Sequence, residues 1–130
     1  MKELKEIIQE KLKVGSKTKI NQYEYQPKDK SEFTKLLNKL IKERGWEGDF
    51  NDIDTSKITD MSYLFTFGRL KFNGDISKWD VSNVEDMQFM FYESNFAGDI
   101  SKWDVSNVKN MRHMFKNSPL EKNPPKWYHE

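Results

Sequence analysis

The chain has no cysteine among its 130 residues, so disulfides and thiolate metal sites are excluded. Its only histidines are His113 and His129, from which no conventional imidazole metal cluster or catalytic triad assembles. No stretch approaches the roughly 20 apolar residues of a membrane span. Neither a Gly-x-x-x-x-Gly-Lys phosphate loop nor a Gly-x-Ser-x-Gly elbow occurs. Charged residues make up 33% of the chain, yet the net charge is only +1, which gives no global case for a nucleic-acid or membrane partner. No catalytic group emerges, and the expectation is a non-enzyme without cofactor or metal.

What the chain does have is large apolar side chains and a repeat. Hydrophobic residues are only 35%, but nine Phe, five Tyr, four Trp and six Met can fill the core of one domain. Gly74 to Val84 reads GDISKWDVSNV, and Gly98 to Val108 repeats it without a change, 24 positions on. A period of that size marks architectures built by stacking. Behind each copy come Val84, Met87, Met90 and Phe91, then Val108, Met111, Met114 and Phe115. Apolar residues at i, i+3, i+6 and i+7 predict a short amphipathic helix of about two turns. Ser82 and Ser106 are candidate N-caps, and Glu85 completes a capping box. The preceding 75–79 segment, DISKW, is too short for a helix and reads as a short strand or bridge.

An earlier copy runs from Gly48 to Ile58, 26 positions ahead of the second. Phe50 stands there for Ile76 and Ile53 for Trp79, and its stripe is Ile58, Met61, Leu64 and Phe65. Two extra residues fall in the loop Thr66–Lys71, where insertions are tolerated. After Phe115 a fourth unit starts and stops: Lys126-Trp127 matches Lys102-Trp103, with Pro124-Pro125 in place of the Asp-containing turn. Prolines there remove backbone donors from an exposed edge.

The run FNGDISKWDVSNVEDMQFMF, its echo and the closing SPLEKNPPKWY resemble the BspA-like leucine-rich-repeat family of bacterial proteins, over roughly Trp46 to Tyr128. The resemblance implies a curved solenoid of short strands and helices, used for adhesion or protein binding. The fold expected is therefore α/β: a short leucine-rich-repeat-like solenoid of about three strand–turn–short-helix units, behind an N-terminal helix–strand–helix cap. Residues 1–45 form the cap in this reading, and 46–130 form the repeats with a truncated last unit.

In the cap, residues 1–13 carry Leu4, Ile7, Ile8 and Leu12 between Lys and Glu, an amphipathic helix rather than a signal peptide. The expected location is accordingly cytoplasmic. Residues 17–26 alternate partly and predict a strand. Asp29 to Arg44 gives the clearest helix, capped by Asp29 or Ser31, with Phe33, Leu36, Leu37, Leu40 and Ile41 on one face and Gly45 at its end.

The acidic stretch Asp49, Asn51, Asp52, Asp54 does not fit a calcium loop, because Asp54 stands where glycine is needed. Asp80 and Asp104 are better explained by hydrogen bonds to nearby amides in turns. The informative positions are those where the copies differ. On a helix, residue 89 points away from the Val/Met/Phe face, as do its equivalents. Tyr63, Phe89 and His113 would then form an outward aromatic column, with Glu85, Asp86 and Arg112 beside it, suited to contact with another protein. That the N-terminal helix or a loop folds over these rings stays open.

The function expected is a non-enzymatic protein-binding module whose partner is another protein of unknown identity. A second reading draws on charge: residues 1–45 have 12 Lys/Arg and 7 Asp/Glu, whereas 46–130 have 10 and 14. It makes the chain a charge-directed intracellular inhibitor or regulator of a nucleic-acid-processing enzyme. A nucleic-acid partner itself is disfavoured, since stacking aromatics are not interleaved with the basic residues. End-to-end self-association through the Pro-rich terminus is a further option.

Overall fold

The computed structural model describes residues 23–130. Among them there is one α-helix, α1 (Lys30–Arg44), with 3-10 turns at Phe67–Arg69 and Pro119–Glu121. The described residues contain no strand; four isolated parallel bridges are the only β pairing: Tyr25 with Ile53, Asp49 with Asp75, Asp60 with Asp86, and Asp86 with Asn110. This overturns the strand–turn–short-helix unit and the leucine-rich-repeat-like solenoid built from it. The helix–strand–helix cap is overturned with it. Of that cap α1 is present, and the 17–26 strand is represented by the single Tyr25 bridge. Residues 17–22 of that strand and the 1–13 helix lie outside the described residues.

The repeats nevertheless lie side by side as three layers, 48–73, 74–97 and 98–118, because backbone bonds join residues 23–27 apart along the chain. On one face Met61, Tyr63 and Phe65 donate to the carbonyls of Asp86, Gln88 and Met90. Met87, Phe89, Phe91 and Glu93 donate in the same way to Asn110, Arg112, Met114 and Lys116.

The predicted short helices fail for a backbone reason. Tyr63, Phe89 and His113 have φ of 58°, 55° and 53°, and Phe67, Glu93 and Asn117, four residues further on in each layer, lie at 54° to 59°. A left-handed residue cannot propagate a right-handed helix. Instead the segment folds as consecutive turns: Met90 N donates to Met87 O, and Ser94 N to Phe91 O. Positive φ at the third residue of such a turn is the type II signature. Apolar residues three or four apart reach the core from successive turns as well as from helical ones, so the pattern alone could not separate the two.

The other corners are made by carboxylates, as expected for Asp80 and Asp104. Asp80 accepts from the amide of Ser82, and Asp104 from Ser106, each at 3.0 Å. Asp75 and Asp99 do the same for Ser77 and Ser101, and Asp86 and Asn110 for Gln88 and Arg112. The aspartates at these corners, and Asn110, thus make Asx turns that satisfy amides no strand pairs.

The core is aromatic and runs through the layers. Phe65, Phe91 and Phe115 stack at 5.3 and 5.6 Å. Trp79, Trp103 and Trp127 stack at 6.5 and 6.3 Å, and their indole N–H groups donate to the carbonyls of Phe50, Ile76 and Ile100 one layer back. Met61, Met87, Met90 and Met114 belong to the same core, whereas Met111 is buried but lies outside it. The layers approach closely: a Cβ on Gly74 would meet the Phe50 ring at 2.6 Å and Gly48 O at 2.8 Å.

Helix α1 covers the first layer. Asp29 caps it by accepting from Glu32 N at 2.9 Å, and Gly45, at φ 83°, ends it. Phe33, Leu37, Leu40 and Ile41 are buried. Phe33 packs edge-on against Trp79 at 5.2 Å, beside the position where the first layer has Ile53 rather than a fourth indole. Arg44 grips Asp52 through two 2.8 Å bonds, which hold the Asp52 carboxyl below the usual carboxylate range.

Candidate functional site

The turn-rich face places Tyr63, Phe89 and His113 in register, one per layer, since each amide belongs to the same rung series. Tyr63 and Phe89 stack at 5.0 Å with ring planes 3° apart, and Phe89 meets His113 edge-on at 5.1 Å. The expected column is therefore present, although the helical reasoning that suggested it does not hold. Phe89 and His113 are half-buried between their neighbours, and Tyr63 is 40% exposed.

Phe67 extends the column and was missed in the sequence. It stacks on Tyr63 at 6.2 Å and is 76% exposed, the highest among the large hydrophobic residues described. It sits in the loop that carries the two-residue insertion, and its equivalents are Glu93 and Asn117. An aromatic at a position that is polar in both other copies was the signal available. Tyr92 adds an edge contact to Phe89 at 5.3 Å.

The charged residues expected beside the column have separate occupations. Glu85 pairs with Lys109 across layers at 2.9 Å, both well exposed, and this hydrogen bond raises the Lys109 pKa. Asp86 is half-buried and holds the amide and side-chain amide of Gln88 at 3.0 and 3.1 Å, so it is a corner residue. Arg112 is exposed; its amide donates to Asn110 and its carbonyl accepts from Phe89. Among the described residues no group of three or more His, Asp or Glu could hold a metal ion, and no helix is long and apolar enough to cross a membrane.

A family model described as "Mycoplasma protein of unknown function, DUF285" matches residues 17–129. The chain belongs to that family. The BspA-like resemblance is supported at this level, while its leucine-rich-repeat character is not. No curated protein and no solved structure matches the chain. Four rings in contact across three layers, open at the Phe67 end, form a surface that stacking alone does not need to expose.

Proposed function

We propose that the chain is a non-catalytic protein-recognition module that engages its partner through the Phe67–Tyr63–Phe89–His113 stripe. The observation that carries this reading is Phe67: a large apolar ring 76% exposed, continuous with a stacked column. Burying such a ring contributes roughly 1.5–3 kcal/mol, so an exposed one is free energy left for binding. Positive φ at Tyr63, Phe67, Phe89 and His113 adds a second support. Left-handed non-glycine residues cost about 1–3 kcal/mol each, and such strain clusters at functional sites. The charge-directed alternative has less to draw on, because Lys30 and Arg44 hold Asp60 and Asp52 within the fold.

The test is capture of partners by cross-linking in a native lysate, comparing the parent chain with Phe67→Ala and Tyr63→Ala. Both variants should lose the partner, and Phe67→Ala should keep the parent's melting temperature within about 2 °C, as expected for an exposed substitution of under 0.5 kcal/mol. Undiminished capture by both variants would remove the stripe from the interface.

A further inference from the structure

The interlayer bonds donated by Met61, Tyr63 and Phe65 and by Met87, Phe89, Phe91 and Glu93 all run in one direction, from N–H in one layer to C=O in the next. Only the bridge residues Glu85, Asp86, Lys109 and Asn110 at the start of the row donate back to the layer before. The stack therefore has two unlike ends: carbonyls of the first layer face one way and amides of the third face the other. Each end holds a side chain of complementary charge. At the carbonyl end Lys30 Nζ donates to Ser62 O at 2.7 Å, to Ser62 Oγ at 2.9 Å and to Asp60 Oδ1 at 3.1 Å, and Arg69 Nε donates to Leu64 O at 2.6 Å. At the amide end Glu130 Oε1 accepts from His113 N at 2.9 Å and lies 3.5 Å from His113 Nδ1.

Glu130 takes the acceptor place that Gln88 O and Arg112 O take for Tyr63 and Phe89. It fills one rung only. The amides of Met111, Phe115 and Asn117, equivalents of donors that are paired in the second layer, have no acceptor among the described residues. Aligned peptide dipoles with unpaired N–H groups attract anions at that end, as at a helix N-terminus. Arg112 and Lys116, both exposed, flank the row, and Glu121 is the opposing charge in the same recess. The bond from His113 N, then that from Tyr128, holds the Glu130 carboxyl below its ordinary range, as an anion in place on donors should be.

We propose that the amide row Met111–His113–Phe115–Asn117 is a binding site for the carboxylates of an acidic peptide, and that Glu130 occupies it in cis as a displaceable competitor. The proposal makes no use of the exposed rings of the stripe, since it rests on bond direction and on the seated carboxylate. A tethered competitor acts at an effective concentration in the millimolar range, so its removal should unmask the site.

The test is amide NMR on the full chain and on Glu130→Ala, titrated with acetylated tetraglutamate and, as control, acetylated tetraglutamine. In Glu130→Ala the His113 amide should shift, then move back toward its parent position as tetraglutamate binds, at least tenfold tighter than to the parent. Phe115 and Asn117, which Glu130 does not reach, should respond to tetraglutamate in the parent chain too, giving a readout that needs no variant. Phe67→Ala should leave this binding unchanged, which separates it from failure of the stripe. Equal binding of the two peptides, shifts confined to other amides, or no gain on removing Glu130 would overturn the proposal.

Discussion

Trp103 shows at the scale of one residue how the layers are tied. Its ring is 5% exposed, stacked between Trp79 and Trp127, and its N–H reaches Ile76 O at 3.1 Å. Trp103→Phe keeps an aromatic ring and removes one of the two donors to Ile76 O, the Trp79 amide remaining, which costs about 0.5–1.5 kcal/mol. Urea denaturation should show the loss; an unchanged midpoint would mean the bond contributes nothing. Single carboxylates act on the same scale. Asp52 is held below the ordinary range by its hydrogen bond from Arg44, and Asp75 by the Ser77 hydroxyl and amide. Their folded pKa values are depressed, so the stability they contribute is present above the ordinary carboxylate pKa of about 4 and is lost as pH falls through the lower folded values. The melting temperature should stay level from pH 7 to about 5 and drop below about 4. Tyr128 has the opposite sign: burial, with help from Glu130, pushes it up to about 12. Its contribution is present below the ordinary tyrosine value of about 10 and is lost between there and about 12.

At the scale of the element, the repeated segment after each Val-x-x-Met is where sequence and structure part. Copy against copy, the sequence showed the layers, the indole positions and the Asp corners correctly, because each recurs with its own chemistry. It could not show that the segment is a row of turns. Met87, Met90 and Phe91 fit both geometries, and the left-handed residues Phe89 and Glu93 are not the glycines or asparagines that announce positive φ. Glu93 turns this into a decisive substitution, since its side chain is exposed and its φ is 58°. Glu93→Gly relieves the left-handed strain and should stabilise the chain by about 0.5–1 kcal/mol, whereas Glu93→Val should destabilise it by about 1 kcal/mol or more. In a helix interior glycine would instead cost about 1 kcal/mol. Thermal unfolding of the pair reads the sign directly.

For the whole molecule, three layers share one aromatic core, α1 covers one end, and Trp127 and Tyr128 pack on Trp103 and Phe115 at the other. The features of the two ends were the least legible. Lys30, Arg69 and Glu130 act once each, so no repeat marks them, and Phe67 is visible only as an aromatic out of step with its polar equivalents. The proposed stripe and amide row both depend on the same bonds between layers. Scalar coupling across hydrogen bonds, measured in uniformly labelled chain, tests those bonds most directly. The account predicts coupling from the Phe89 amide nitrogen to the Arg112 carbonyl carbon, and from Tyr63 to Gln88. Coupling from Phe89 to the carbonyl of Glu85, the helical partner four residues back, would contradict it.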